Sequence, residues 1–288
     1  MGPPTWSALG PLAGQPSRAP NWSALSTIGN QKQKAAAFQA LHAGEPFVIP
    51  NPWDAGSARV LARLGFKALA STSSGFAFTL GRLDGEVTLG EVVEHACMLD
   101  RATDLPVSVD LENGYSPDAE SVVLAVTRIA EAGAVGASIE DYDPGGRIYD
   151  LPHAVERVAA AVEAARLLAF PFTLTARAEN HIRGNPDLDD TITRLQAYEA
   201  AGVDVLYAPG LQTSAEIRAV CEAVAKPVNV LARPDLSMAE IVDAGAQRIS
   251  VGGSLTWVAV SAMTAAASEI RDHGDFSSLG AGPPLPAS

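Results

Sequence analysis

Residues 107–140 read VSVDLENGYSPDAESVVLAVTRIAEAGAVGASIE, and this stretch contains the pattern that decides the fold. A short apolar and β-branched run, Val107–Leu111, is followed by an amphipathic helical stretch, an Ala-Gly pair and a second short run, Ala137–Glu140. Glycine suits the left-handed position just after a helix. Short apolar runs of this kind are typical of strands that are covered on both faces. The stretch therefore predicts a strand, a helix and a second, parallel strand.

The same alternation of short runs and helical stretches recurs along most of the chain. Eight such steps in about 240 residues are typical of a (β/α)8 barrel. No Gly-x-Gly-x-x-Gly follows the first run, which weakens the case for an open dinucleotide-binding sheet. We therefore predict the α/β class and a (β/α)8 TIM barrel, with its active site where the strands end. The predicted strands are Phe47–Pro50, Ala68–Thr72, Val107–Leu111, Ala137–Glu140, Thr173–Ala176, Val205–Tyr207, Val228–Leu231 and Ile249–Val251.

The two ends of the chain differ from this regular part. Residues 1–28 are rich in Pro, Gly and Ser and contain no acidic residue, and residues 275–288 have a similar composition. Both are predicted to be disordered tails around one catalytic domain, residues 29–274. The first residues lack the charged start and continuous apolar stretch of a signal peptide, and no apolar run is long enough to span a membrane. A cytoplasmic location is expected.

The composition and the net charge argue against some classes of binding partner. Of the 288 residues 47% are hydrophobic, which argues against a disordered chain, and 20 Lys and Arg against 33 Asp and Glu give a net charge of −13. Such a charge repels phosphate backbones and anionic membranes, so neither nucleic acid nor a membrane is an expected partner. The two cysteines, Cys97 and Cys221, lie far apart in helical stretches and predict helix packing rather than a disulfide or zinc site.

Polar side chains are concentrated at the predicted strand ends. Asp110 and Glu112 are two residues apart, so on a strand they point to the same side, and Glu140 ends the neighbouring strand. Converging carboxylates repel one another unless a hard cation such as Mg²⁺ binds them, and too few His or Cys residues converge here for zinc. Arg177 at the end of the fifth strand offers a planar fork for a carboxylate. Metal and arginine together predict a small anionic substrate.

Several single residues have a structural interpretation beside a functional one. Asp54 could cap the next helix, and Asp84 could be a turn residue. His181 could be structural or carry a proton, and Gly252-Gly253 could form a turn or a phosphate-binding end. Charge buried on three successive strands is costly unless it is paired or metal-bound, which favours a functional interpretation of the main cluster.

Residues 31–274 resemble the isocitrate lyase/phosphoenolpyruvate mutase superfamily. The resemblance implies a (β/α)8 barrel whose last helix is exchanged with a neighbouring subunit, typically within a homotetramer. It also implies the making or breaking of C–C or P–C bonds next to a 2-oxo acid through Mg²⁺-stabilised enolates. The matching segments are FVIPNPWDAGSARVLARLGFKALASTSSGFA, GRLDGE, VDLENGYS, ASIEDYD, TARAENH and PVNVLA.

By this resemblance, Asp110 and Glu112 would bind Mg²⁺ (or Mn²⁺) directly or through water, and Glu140 would belong to the same metal shell. Asp84 matches an acidic residue near the reacting centre. Arg177 matches the arginine that clamps the substrate carboxylate. Glu140, Asp84 and Arg177 are thus the predicted catalytic residues.

The resemblance also implies further substrate contacts. Asn229 matches a substrate-contacting Asn, and the segment Ser71, Thr72, Ser73 and Ser74 matches a backbone turn that binds an oxyanion. The expected partner is a small carboxylate, within a homo-oligomer.

Three departures from the family pattern bear on the substrate. C–C lyases of the family often place a Cys in the loop after the fourth strand, but here that loop reads YDPGGRIYDLP and offers Tyr142, Arg147 or Tyr149 instead. The Lys/Asn-bearing loop of the mutases is absent too. Many methylisocitrate-type lyases have Glu after Pro at the sixth strand, where this chain has Gly210.

These observations predict an Mg²⁺-dependent carbon–carbon lyase that acts on a small 2-hydroxy or 2-oxo carboxylate. Two alternatives stay open at the level of sequence. One is an oxaloacetate or phosphonate-type hydrolase of the same family, and the other is a non-catalytic barrel that binds a metal-chelated oxo acid.

Overall fold

The protein, seen in a computed structural model, is described over residues 24–280, with the backbone alone for residues 24–29. Its strands alternate with helices as the sequence predicts. The strands are β1 (Phe47–Ile49), β2 (Leu69–Ala70), β3 (Val107–Asp110), β4 (Gly136–Glu140), β5 (Tyr142–Asp143), β6 (Arg147–Ile148), β7 (Thr173–Arg177), β8 (Val205–Tyr207), β9 (Val228–Leu231) and β10 (Arg248–Ser250). The helices are α1 (Ala24–Leu41), α2 (Ala55–Arg63), α3 (Ser73–Thr79), α4 (Leu89–Ala102), α5 (Ala119–Glu131), α6 (Leu151–Leu167), α7 (Leu188–Ala201), α8 (Ser214–Ala223), α9 (Met238–Asp243) and α10 (Ser254–His273).

Eight of these strands form one parallel sheet in the order β1-β10-β9-β8-β7-β4-β3-β2, while β5 and β6 form a separate antiparallel hairpin after β4. The pairing of β1 with β10 brings the two ends of the barrel sequence together. The ring is closed between β1 and β2, where the backbone N–H of Ala70 donates to the carbonyl of Pro50 at 3.1 Å. The fold is a (β/α)8 TIM barrel, and the prediction is confirmed.

The observed bounds differ from the predicted ones at the chain ends. Helix α1 begins at Ala24, so residues 24–28, which were predicted to belong to the tail, are its first turns. Near the other end, Ser277–Gly280 forms a 3₁₀ turn. The rest of the two predicted tails, 1–23 and 281–288, lies outside the described residues, and their disorder stays a prediction.

Helix α1 closes the amino-terminal end of the barrel. Its Phe38 is fully buried and packs with Phe47, Ile49 and Val135. A Cβ at Gly136, the first residue of β4, would lie 2.8 Å from the Phe38 ring, so glycine is needed for this close approach. Because α1 covers this end, the cavities that adjoin the barrel interior open at the carboxyl ends of the strands.

The hydrogen bonds of Asp54 decide between its structural and its functional interpretation. The Asp54 carboxylate accepts from the backbone N–H of Ser57 at 2.7 Å, and the Ser57 hydroxyl accepts from the backbone N–H of Asp54 at 3.1 Å. This reciprocal arrangement satisfies backbone donors at the start of α2. Asp54 is therefore a capping residue.

Within the described residues, no helix combines the length and the apolar character that crossing a bilayer requires. The cytoplasmic location stays a prediction.

Candidate active site

The predicted site residues meet at the carboxyl ends of the strands. Asp110, Glu140 and Arg177 are the last residues of β3, β4 and β7, which are neighbours in the barrel. They line two adjoining cavities that share Ser73, Asp84 and Arg177. The inner cavity, of about 190 Å³, extends into the barrel, and the outer cavity, of about 340 Å³, lies under the loops.

Glu112 reaches the site by a different route from the one predicted. Strand β3 ends at Asp110, so the alternation of side chains along a strand does not apply to Glu112. Glu112 instead adopts a left-handed conformation with φ of 47°, and its carbonyl accepts from the backbone N–H of Glu140 at 2.8 Å. Tyr115, also left-handed with φ of 66°, donates its hydroxyl to the Glu112 carboxylate at 3.3 Å. A strained turn thus aims this carboxylate at the outer cavity.

Arg177 lies among three carboxylates. Its Nη1 is 2.9 Å from Asp110, and its Nη2 is 2.9 Å from Glu140 and 2.8 Å from Glu179. Burial disfavours the charged guanidinium, but the carboxylates of Glu179, Glu140 and Asp110 outweigh burial and raise the pKa of Arg177. Glu179 is fully buried and lies two residues beyond the end of β7, and the sequence analysis gave it no role.

Three carboxyl groups of the site, those of Asp84, Glu112 and Glu140, have a raised pKa. Burial, followed by repulsion from Asp110 and Asp84, raises the pKa of Glu112 to about 7. Burial also raises the pKa of Asp84, opposed by a hydrogen bond from Ser73, and it raises the pKa of Glu140 despite the nearby Arg177. The cavity therefore has an excess of negative charge that a cation would relieve.

The donor set fits a hard divalent cation held mostly by water. In the part of the chain that the structure describes, no three His, Cys, Asp or Glu side chains are disposed to hold one ion together. Asp110 and Glu140 each direct an oxygen at Arg177. Mg²⁺ is commonly bound through one or two carboxylates and keeps several waters, so the arrangement fits Mg²⁺ better than a metal that needs a closed protein cage. Binding of metal by Asp110, Glu112 and Glu140 stays a prediction.

The segment after β2 lines the inner cavity through Ser71, Thr72, Ser73 and Ser74. The Ser71 hydroxyl accepts from the backbone N–H of Asp110 at 2.8 Å and so holds the end of β3. The Thr72 hydroxyl accepts from the backbone N–H three residues later at 3.3 Å and caps α3. The structure therefore places the predicted oxyanion-binding turn beside the carboxylates, while its role toward a substrate stays a prediction.

Asn229 is buried in the same inner cavity, and its Nδ2 donates to the Ser250 hydroxyl at 3.0 Å. Gly252 and Gly253 also line this cavity. A Cβ at Gly253 would lie 2.5 Å from the Ser74 hydroxyl, so this glycine permits the close approach of two loops. Tyr207, which the sequence did not single out, lies between Arg177 and Asn229 in the register of the strands and lines the cavity as well.

The loop after β4 distinguishes the three candidates for a proton donor. It forms the β5–β6 hairpin, and Tyr142 lines the outer cavity. Arg147 is 81% exposed and pairs with Asp143, and Tyr149 is buried with its hydroxyl accepting from Asn113 at 3.1 Å. Tyr142 is thus the one of the three that faces the site.

Arg183 was also missed by the sequence analysis. It lies over the Tyr142 ring, with Cζ 3.9 Å from the centroid, and its Nε is 3.1 Å from Glu179. Its Nη2 is 3.6 Å from Glu140. Arg183 therefore connects the hairpin after β4 to the carboxylates of the site.

Asp141 supports the site from behind. Its carboxylate accepts from the backbone N–H of Glu179 at 2.8 Å, from the Tyr198 hydroxyl at 2.5 Å and from Arg194 at 3.0 Å. These bonds tie the ends of β4 and β7 to α7. His181 is buried and lines neither cavity, and among the described residues its Nδ1 has no hydrogen-bond partner, which leaves its two interpretations open.

The fold and the site define a TIM-barrel protein whose strand ends gather several carboxylates around one arginine. The family model for phosphoenolpyruvate phosphomutase matches residues 38–271, which is most of the chain. The chain belongs to the isocitrate lyase/phosphoenolpyruvate mutase superfamily, and it is an enzyme of that family.

Similar proteins agree with this assignment. A candidate lyase/mutase of Burkholderia cenocepacia is 49% identical, with a TM-score of 0.86 over 89% of this chain and 94% of that one. An oxaloacetate decarboxylase of Rhodopseudomonas palustris is 31% identical over 75% of this chain and 76% of its own length. A structure of oxaloacetate acetylhydrolase with its product oxalate is 25% identical, with a TM-score of 0.79 over 87% of this chain and 91% of that one.

The raised pKa of Glu112 predicts a pH-dependent stability. Its ordinary pKa is 4.5 and its folded pKa is about 7, so the folded state holds a proton that the unfolded state releases between these values. The free energy of unfolding should therefore fall as the pH rises through this window. Glu112→Gln removes this contribution and should make the metal-free protein more stable than wild type by roughly 2 kcal/mol at pH 8 but not at pH 4.

Urea unfolding in the presence of a chelator, repeated across this pH range, measures the difference. Glu131→Gln, on the exposed face of α5, is the control. It should change the free energy of unfolding by the same amount at low and at high pH. An equal effect of Glu112→Gln at both pH values would contradict the assigned cause.

Proposed function

We propose that the protein is an Mg²⁺-dependent carbon–carbon lyase that acts on a small 2-hydroxy or 2-oxo carboxylate through an enolate. The supporting observation is the meeting of Asp110, Glu140 and Arg177 at adjacent strand ends, where they line two adjoining cavities under a loop hairpin. Carboxylates for a cation and a guanidinium for an anion are the two groups that this chemistry needs.

Asp110, Glu112 and Glu140 are the residues that would hold Mg²⁺ (or Mn²⁺), one or two of them directly and the rest through its water ligands. A bound cation would stabilise negative charge that develops on a substrate oxygen. The proposed oxyanion turn, Ser71–Ser74, would face the same charge from the side of β2, because all four of its residues line the inner cavity.

Arg177 is the proposed clamp for the substrate carboxylate. Glu179 accepts from its Nε at 3.0 Å and from its Nη2 at 2.8 Å, which holds the guanidinium plane in place. Its Nη1, now 2.9 Å from Asp110, is the group that we expect to turn to a substrate carboxylate. A guanidinium fixed in this way loses less side-chain entropy when it binds a carboxylate.

Asp84 and Tyr142 are the proposed proton carriers. Burial raises the pKa of the Asp84 carboxyl, which favours its accepting and returning a proton during the reaction. Tyr142 faces the outer cavity from the hairpin after β4, the place where many C–C lyases of the family have a cysteine. We propose that its hydroxyl delivers the proton to the carbon of the enolate and that the hairpin excludes water during the reaction.

Tyr142→Phe tests this role, because it keeps the ring that Arg183 covers and removes only the hydroxyl. We expect kcat to fall about a hundredfold or more with a much smaller change in KM, as for the loss of a general acid. Tyr149→Phe is the matched control, since Tyr149 itself lines neither cavity and its hydroxyl bonds to Asn113 instead of facing the outer cavity. A normal kcat in Tyr142→Phe would exclude the hydroxyl as the donor.

The relatives suggest which acid to test first. Oxaloacetate is named in the decarboxylase and acetylhydrolase relatives, and loss of CO₂ from it to give pyruvate breaks a C–C bond next to a 2-oxo acid. At Gly210, φ is 95° and a Cβ would lie 2.9 Å from the Ile182 backbone, so this backbone cannot accept the glutamate that many methylisocitrate-type lyases have there. This supports a substrate smaller than a tricarboxylate.

A panel of 2-hydroxy and 2-oxo acids with Mg²⁺, followed by product analysis, tests the reaction. We expect chelator-sensitive formation of a 2-oxo acid such as pyruvate or glyoxylate, or release of CO₂ from oxaloacetate. Glu112→Ala and Arg177→Ala should each lower kcat/KM by about a hundredfold or more. Arg166→Ala removes an exposed arginine outside both cavities and should not change the rate. Full activity in Arg177→Ala would exclude the clamp.

A hydrolase is the second candidate, and the likeness to oxaloacetate acetylhydrolase is the observation that favours it. Water would then cleave oxaloacetate to acetate and oxalate. The same product analysis separates the two reactions, because a lyase forms no oxalate from this substrate.

We also propose that the protein forms a homo-oligomer through α10. Of the 20 residues of this helix, Thr256 alone is buried against the described part of the chain. Large apolar side chains, including Trp257, Val258 and Met263, are between 47% and 65% exposed. Contiguous exposed apolar surface of this kind marks an interface with another chain. Exchange of α10 between subunits of a tetramer would cover it.

Light scattering measures this assembly directly. We expect a native mass that is a multiple of the 29.8 kDa chain, and four chains if the family arrangement holds. Met263→Glu should lower the mass, because it places a charge in the interface. Leu64→Glu changes an equally exposed residue after α2 and should have no effect. A monomeric wild type would contradict the proposal.

A further inference from the structure

Arg248 lies deep in the barrel, below the proposed active site. It is the first residue of β10 and is 5% exposed, and it lines the inner cavity together with Asn229 and Ser250. Its Nη2 donates to the hydroxyl of Thr175, which precedes Arg177 by two residues along β7. The guanidinium therefore sits at the floor of the same cavity whose mouth holds Arg177.

The partners of Arg248 are all uncharged. Its Nε donates to the amide oxygen of Asn229 at 2.8 Å, its Nη2 to the Thr175 hydroxyl at 3.0 Å, and its Nη1 lies 3.2 Å from His42 Nε2. The Nδ1 of His42 is 2.9 Å from the carbonyl of Phe38, so Nδ1 carries the proton and Nε2 accepts from Arg248. Burial and the charge of Arg248 lower the pKa of His42 to about 3, which keeps this imidazole neutral.

No Asp or Glu of the described residues lies within 4 Å of the Arg248 guanidinium, whereas Arg177 has three carboxylates. Burial lowers the pKa of Arg248 to about 10, so it remains charged at neutral pH. A buried charge without a counter-charge lowers the stability of the folded state. A guanidinium has five N–H donors, and the three protein acceptors leave donors over. Both observations indicate a place for an anion.

We propose that Arg248 is a second anion-binding group of the site, and that it takes a carboxylate of the substrate distal to the one held by Arg177. The lining supports this role, because the hydroxyl groups of Ser108, Ser138 and Ser250 and the amide of Asn229 surround the inner cavity. These groups can donate hydrogen bonds to a carboxylate and so replace the hydration that it loses on binding. The inference deepens the proposed function, since it rests on a substrate bound at the mouth and adds the group that selects its other end.

The proposal makes Arg248 a specificity-determining residue. A diacid that spans the inner cavity would pair with both arginines. A monoacid, or a diacid whose far end is an uncharged amide, would leave the buried cation of Arg248 without a partner. The enzyme should therefore bind a diacid more tightly than its monoamide of the same length.

Calorimetry with non-reacting ligands tests this preference in the full-length protein with Mg²⁺ present. The probes are two pairs, malonate with malonamate and succinate with succinamate. Two lengths are used because the distance between carboxylates that fits the inner cavity is to be determined by the experiment. For at least one pair, wild type should bind the diacid roughly tenfold or more tightly than its monoamide. Arg248→Gln should abolish this ratio, and the control Arg166→Gln should preserve it. An unchanged ratio in a folded Arg248→Gln protein overturns the proposal, as does a wild type without any preference.

Asn229→Asp provides the second variant, which is needed if Arg248→Gln does not fold. It places a carboxylate of almost the same shape 2.8 Å from Arg248 Nε, so the cation acquires an internal partner. We expect a higher Tm, since a buried charge becomes paired, together with loss of the preference for the diacid. A retained preference in this variant overturns the proposal.

The result is separable from the proposed function. The binding ratios need no turnover, so they are meaningful even if no acid of the panel is cleaved. Conversely, a lyase that cleaves its substrate but shows no dependence on Arg248 would leave the proposed function standing and remove only this inference.

Discussion

The site depends on one electrostatic constraint, the crowding of negative charge at the ends of three adjacent parallel strands. Asp110, Glu140 and Glu179 surround Arg177 at 2.8–2.9 Å, and the guanidinium is the group that allows them to be buried together. Glu112 and Asp84 lie beyond this cluster, and burial, together with repulsion from Asp110, raises the pKa of both carboxyl groups. Uncompensated charge of this kind is costly, so it indicates a place prepared for a cation rather than a feature of stability.

The surroundings of this cluster keep its members in position. Asp141 joins the ends of β4 and β7 through Glu179 and Tyr198, and the turn that carries Glu112 is closed by Glu140. Arg183 connects the cluster to Tyr142 on the hairpin after β4, which lines the outer cavity. In the proposed chemistry the strand ends carry the charged residues and a loop covers the cavity, which is the usual arrangement in a barrel enzyme.

The charges are also arranged along the depth of the barrel. The carboxylates lie at the mouth, and Arg248 lies at the floor with only neutral partners among the described residues. A cation at the mouth and a fixed cation at the floor would together orient a small acid with two negative ends. The same separation explains how a protein with a net charge of −13 could bind an anion, because local groups rather than the overall charge decide binding in a cavity.

The sequence by itself determined the barrel and three residues of the site. Strand ends of a parallel barrel meet at one face, so Asp110, Glu140 and Arg177 could be placed together from their positions alone. Only the tertiary structure decided that Glu112 enters through a left-handed turn and that Arg248 crosses the interior without a carboxylate partner in the described chain. Turn conformation and contacts across the barrel depend on packing between distant segments, and periodicity along one segment does not contain that information.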